Sequence, residues 1–117
     1  EPSRNFTDLI VWQKAHRFVL ETYKYSSLFP REEVYGLTDS KEGAISAAAN
    51  IAEGFKKKSN KDKMRFYNIS QGSLEECRYY LILTQDLSYS NNHFLVQLLE
   101  EVSKMLNALI ASINKKL

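Results

Sequence analysis

Six basic side chains crowd into ten residues, Lys56, Lys57, Lys58, Lys61, Lys63 and Arg65, against a single acid, Asp62. Cations at this density suit phosphate. Each phosphate they neutralise releases a condensed counterion, and binding driven that way is electrostatic and tolerant of sequence. Phe55, Phe66 and Tyr67 flank the run and are candidates for stacking on bases. The competing reading is a solvated hinge whose lysines complement the negative end of a helix. Lysine outnumbers arginine five to one in the run, and lysine is a point charge without the bidentate fork of arginine. Ten basic and thirteen acidic groups remain elsewhere, so a basic spot sits on a mildly acidic body.

Asn50 and Glu53 lie about one helical turn apart on an alanine-rich stretch. Such a pair serves either as a general base or metal ligand, or as a polar network that fixes packing between helices or subunits. The network is the expected role. In a hairpin closing near Lys58 to Asn60, Glu53 should fall near Arg65 or the following turn. Glu75, Glu76 and Arg78 invite a ligand-shell reading, but a di-metal site in a helical bundle needs Glu-x-x-His pairs, and none occurs. His16 and His93 are the only histidines. Cys77 falls in mid-helix without a neighbouring cation or helix N-terminus to lower its pKa, so it is expected to fill core. No glycine-rich phosphate loop, zinc spacing or Ser/His/Asp pattern is present. These residues predict no enzyme, no cofactor, no metal and no small-molecule substrate.

Helices must position these groups. From about Asp8 to Ser27, Leu9, Trp12, Ala15, Val19, Tyr23 and Ser26 recur at steps of three and four, with Asn5 or Thr7 as a cap and Phe29-Pro30 as a stop. Thr38, Asp39 or Ser40 is the expected cap of a second helix carrying Ala44, Ala47, Ala48, Ile51, Ala52 and Phe55. Alanine dominates there, so close approach to a neighbour is expected. Ser59 or Asn60 begins a third helix to about Leu87, whose inward stripe reads Phe66, Ile69, Ser73, Cys77, Tyr80 or Leu81, Thr84 and Leu87. A fourth, about His93 to Ile113, repeats Leu95, Leu98, Val102, Met105, Leu109 and Ile113, widened by Leu99, Leu106 and Ile110. Short links favour antiparallel neighbours, and the predicted fold is an all-α, antiparallel up-down-up-down four-helix bundle spanning residues 1–117 as one domain.

Glycine and proline are scarce, four and two, which disfavours turn-rich β architecture. One cysteine excludes an internal disulfide and fits a reducing compartment. No apolar run approaches the roughly 20 residues of a membrane span. Glu1-Pro2-Ser3-Arg4 has no apolar core of a secretory leader. A cytoplasmic protein without membrane contact is expected.

Five pieces in order extend the reading: Phe6-x-Asp8-Leu9-x-Val11-Trp12-Gln13-Lys14-Ala15, Phe29-Pro30-x-x-Glu33-x-Tyr35-Gly36-Leu37, Asn50-Ile51-Ala52-Glu53-Gly54, Gly72-Ser73-Leu74-Glu75-Glu76 and Asp86-Leu87-x-Tyr89. With them the chain resembles the bacterial four-helix-bundle proteins first noticed as reading frames within intervening sequences of 23S ribosomal RNA genes. It is also similar to the accessory proteins of diversity-generating retroelements. The resemblance implies an antiparallel bundle that self-associates as a ring of five. It further implies a partner in RNA or a reverse-transcriptase-type enzyme, met through a basic surface. The chain departs from the family pattern on the second helix. Glu42 and Gly43 stand where two arginines are frequent, and Ala47-Ala48-Ala49 replaces an Ile-Pro-Ser step. A nucleic-acid surface built on that helix should be weaker here.

Apolar side chains are also in surplus. Ile10, Phe18, Tyr25, Phe29, Tyr79, Ile82 and Leu83 fall off the bundle stripes, and such side chains are enriched in interface cores. They are the candidate subunit interface of a homo-oligomer, with a pentamer favoured by the resemblance. The functional expectation is a non-enzymatic scaffold or adaptor that binds RNA or a nucleic-acid enzyme through its basic rim. The alternative is a protein–protein module with no nucleic-acid role.

Overall fold

The computed structural model describes residues 3–29, 34–87 and 91–116, with the backbone alone for 34–37. A short 3-10 turn, Phe6–Asp8, leads into α1 (Ile10–Ser26), followed by α2 (Val34–Lys56), α3 (Asn60–Asp86) and α4 (His93–Asn114). Each helix packs against its two neighbours in a closed ring, with α2 and α3 sharing the most extensive contact. Pairings across the ring are all antiparallel. Asp39 meets Tyr80 while Gly54 meets Lys63, and Lys14 meets Glu101 while Arg17 lies over Phe94. The bundle measures 46 × 22 × 21 Å, as helices of this length at about 1.5 Å per residue require.

The entry to α1 is built locally. The Asn5 side chain accepts from the Thr7 backbone N–H at 2.8 Å, and the Asp8 carboxylate accepts from the backbone N–H groups of Arg4 and Asn5. This reciprocal capping box fixes the 3-10 turn. At the other end α1 stops at Ser26, before Phe29; Pro30 lies outside the described residues. Thr22 and Ser26 are buried, and each hydroxyl donates to the carbonyl four residues back, which keeps both satisfied.

Helix α2 begins at Val34, so Thr38, Asp39 and Ser40 lie inside it and cap nothing. Two of them meet α3 instead. The Tyr80 hydroxyl donates to Asp39 at 2.9 Å, and the Cys77 thiol leans on the Ser40 carbonyl at 3.6 Å. Ser59 does cap α3, accepting from the Asp62 N–H at 3.1 Å.

Buried residues of all four helices form one core. On α4 the burial of Leu95, Leu98, Leu99, Val102, Leu106 and Ile113 follows the sequence periodicity. Helices α1 and α3 are rotated relative to it. On α1 the buried face is Val11, Ala15, Phe18, Thr22 and Ser26, while Tyr23 is 46% exposed beneath Lys41. On α3 it is Tyr67, Ser70, Leu74, Cys77 and Leu81, while Ile69 and Leu87 stand out in solvent. On α3 the small residues of α2 let Ser70 and Cys77 come within reach of its backbone, and bare Gly54 makes room for the Tyr67 ring.

The α2–α3 seam is close. Ala44, Ala47 and Ile51 are buried to within 1%. The Ser70 hydroxyl donates to the Ala47 carbonyl at 2.7 Å, Ser46 and Ser73 share a hydrogen bond of 2.8 Å, and Asn50 donates back to Ser46. Glycines mark both ends. A Cβ on Gly43 would stand 2.9 Å from the Cys77 sulfur, and one on Gly54 would stand 2.6 Å from the Tyr67 ring. Gly72 on α3 faces open space instead.

Candidate nucleic-acid interface

The six cations of the basic run gather at the corner where α2 turns into α3, but they divide by role. Four C-terminal carbonyls of any helix lack intrahelical partners, and Lys63 answers two of them. Its ammonium donates to the carbonyls of Gly54 at 3.2 Å and Phe55 at 2.6 Å and sits 5.4 Å from the Phe55 ring centroid. Burial lowers its pKa. Lys57 and Arg65 both lie 4.9 Å from the centroid of Phe66, a cation–π arrangement that spreads their heads around one ring. Arg65 also approaches Asp62 at 4.0 Å. Lys56, Lys58 and Lys61 are exposed and make no hydrogen bond or ion pair among the described residues. Three of the six cations are thus free to meet an external anion, two are held over an aromatic ring, and one is a helix cap.

Of the aromatic side chains expected to stack on bases, Phe55 and Phe66 are half-buried at the corner. Tyr67 is only 2% exposed and packs beneath Gly54, with burial pushing its phenol pKa up, so it cannot stack on a base.

Glu53 departs from expectation. Asn50 turns back to Ser46, and Glu53 stands exposed with no hydrogen bond or ion pair among the described residues. The two side chains therefore form no common network, and Arg65 pairs with Asp62 instead. Glu53 instead lines a cleft of about 420 Å³ together with Arg4, Asn5, Phe6, Ala52, Phe55 and Lys56. Sequence reasoning missed this cleft because it joins the first turn of the chain to residues some fifty positions on. The one local sign was the aromatic Phe6 just before a helix whose first turns also carry Trp12.

Elsewhere the polar candidates are structural. Arg78 bridges Glu75 at 3.0 Å and Glu100 on α4. The Cys77 thiol is pushed up to about 12 by burial, with the Glu76 charge adding to it, so it is a neutral core group at physiological pH. His16 stacks on Trp12, with ring centroids 5.0 Å apart. Among the described residues no group of three or more His, Cys, Asp or Glu side chains is placed to hold a metal ion.

A family model described as 23S rRNA-intervening sequence protein matches residues 7–111. The chain belongs to this family. A search of curated proteins finds no significant match. The matched range takes in α1, α2, α3, α4 up to Ala111 and the whole basic corner, whereas Arg4, Asn5 and Phe6 precede it.

Position 43, where the resemblance leads one to expect a family arginine, faces the seam in this chain. A long side chain there would have to displace the Cys77 sulfur to reach solvent, so the cations at the α2–α3 corner are not supplemented from this part of α2. The candidate interface residues separate as well. Ile10 (59%), Tyr79 (59%) and Ile82 (52%) reach solvent. Phe18 is 1% exposed and belongs to the core of the single chain, so it is withdrawn from any subunit interface. Tyr25 and Leu83 are half-buried, and the Tyr25 hydroxyl donates to Thr84 at 3.3 Å. Phe29 packs edge-on against Tyr25. No described helix is long and apolar enough to cross a membrane.

Proposed function

We propose that the protein is a non-enzymatic, self-associating scaffold of the cytoplasm that holds RNA, or an enzyme working on nucleic acid such as a reverse transcriptase, against its α2–α3 corner. The observation that carries this reading is the trio Lys56, Lys58 and Lys61, exposed at one end of the bundle and without a protein partner among the described residues. Lys57 and Arg65, held over Phe66, add charge beside the trio without themselves being free to extend fully.

Three phosphate contacts to a single strand give a slope of roughly −2 for log K against log salt, so affinity should fall about ten- to twentyfold between about 50 and 200 mM salt. Fluorescence anisotropy with labelled RNA, comparing the wild type with a Lys56→Glu, Lys58→Glu, Lys61→Glu variant, tests this. Salt-sensitive binding lost in the variant is the expected result. No binding at about 50 mM salt, or equal binding by the variant, overturns it.

A second reading, a protein–protein module without nucleic acid, draws on Ile69, Tyr79 and Ile82, which are exposed along one outer face of α3 with bare Gly72 between them. The same face supports self-association, because a glycine without neighbours lets another backbone come close. A ring of five, the size implied by the family resemblance, is the expected state. Light scattering on Tyr79→Asp against wild type reads it: loss of the oligomer supports the surface, and an unchanged mass removes it.

A further inference from the structure

We propose that the cleft between the N-terminal turn and the end of α2 receives an unstacked base of a single RNA strand whose phosphates run over the α2–α3 corner. The proposal rests on the phosphate reading of that corner and adds a site the basic run does not contain.

The cleft has the volume and lining for a small aromatic ligand. Its volume of about 420 Å³ lies within the roughly 300–1,000 Å³ of small-molecule clefts. Phe6 and Phe55 supply aromatic surface and Ala52 leaves room beside them. Every base has a π-face, so aromatic side chains take bases with little regard to sequence.

Both aromatic residues are braced before any ligand arrives. Phe6 rides on the capped 3-10 turn and meets Trp12 edge to face, centroids 5.0 Å apart at 73°. Trp12 in turn lies flat on His16. Phe55 is held by Lys63, which binds its carbonyl and sits near its ring. Side chains already ordered in the free protein lose little entropy on binding.

Charge selects the ligand and its orientation. Arg4 and Lys56 line the cleft, and Lys56 is also the first cation of the basic run, so a line of phosphates leaving the cleft meets the run at Lys56. A strand following that line keeps its phosphates outside. Glu53 repels a phosphate from the cleft itself, and its carboxylate, free of protein partners among the described residues, can accept from the exocyclic amine of a base. A duplex offers no such base, because its bases are stacked and paired.

The chain has one tryptophan, and it rests on Phe6. Trp12 emission therefore reports on the cleft while anisotropy reports on the whole interface. The full chain is titrated with a short single-stranded RNA and with an abasic strand of the same length and charge, at low salt. Base-bearing RNA is expected to bind roughly tenfold or more tightly than the abasic strand and to change Trp12 emission. Phe55→Ala is expected to erase that difference while leaving abasic affinity and its salt slope in place. The strand comparison uses wild-type protein, so it decides the matter even if the variant does not fold. Equal, salt-sensitive binding of both strands overturns the base site and leaves the phosphate reading standing. Binding of neither strand overturns both.

Discussion

Toward α2, helix α3 presents Ser70, Ser73 and Cys77, which reach carbonyls and a hydroxyl across a seam narrow enough to exclude a methyl group at Gly43 and Gly54. Toward α4 it presents Gln71 and Arg78, which span to Ser103, Asn107 and Glu100, while Leu95, Leu98, Leu99 and Leu106 supply bulk to the core. The first contact is set by distance and the second by volume. A narrow seam holds the ends of α2 and α3 in register, and that register places Lys63 under the last carbonyls of α2 and leaves Lys56, Lys58 and Lys61 outside. A voluminous contact holds the bundle together without specifying position so tightly.

The largest expected effect falls on the volume side. Leu99 is fully buried, and Leu99→Ala should cost about 2–5 kcal/mol through lost transfer energy and the cavity left behind. Urea unfolding at fixed protein concentration reads it as a lowered midpoint with little change of slope. Gly54→Ala breaks the seam instead. Alanine is the better helix former by about 1 kcal/mol, but its methyl group would press on the buried Tyr67 ring, and overpacking of this kind costs about 1–3 kcal/mol. Net loss of stability is expected, and under the proposed RNA role the loosened corner should also bind RNA more weakly. Gly72→Ala is the smallest change and has the opposite sign. With open space around it within the chain, the same substitution should stabilise the helix by about 0.5–1 kcal/mol, read as a raised thermal midpoint of the dissociated chain at low concentration. If Gly54→Ala and Gly72→Ala shift stability in the same direction, the narrow seam is not what sets α2 against α3.

The contrast also explains which parts of the structure were legible in the sequence. Helix α4 was read correctly because its core face is leucine, valine and isoleucine, which mark burial unambiguously. On α3 the expected stripe holds at Ser73, Cys77 and Leu81 but misses Tyr67, Ser70 and Leu74, because Ser70 carries no hydropathy signal while Phe66 and the exposed Ile69 look like core. Phe18 falls off an α1 stripe centred on Trp12 and Tyr23 and so reads as interface, whereas the true core face of α1 passes through it. The start of α2 was placed late because Thr38, Asp39 and Ser40 are cap-type residues whose side chains here meet other helices or solvent. At the site, cation density in the sequence was enough to locate the corner. Only the fold separates Lys63, a cap, from Lys61, a free charge two residues earlier, and only the fold brings Phe6 beside Phe55.

The bonds that stitch α2 to α3, from Gly54 with Lys63 at the turn to Asp39 with Tyr80 at the far end, are hairpin contacts that close progressively from one short loop. Contacts of that kind form early and open late, since each closes only a little more chain than the one before. Amide exchange should therefore be slowest at Ala47, Ile51 and Ser70, with α1 and the end of α4 exchanging through lower-energy openings. Fraying of the outer helices would then leave the lysine-bearing turn intact, and a ligand held there would still face an ordered surface while the rest of the bundle breathes.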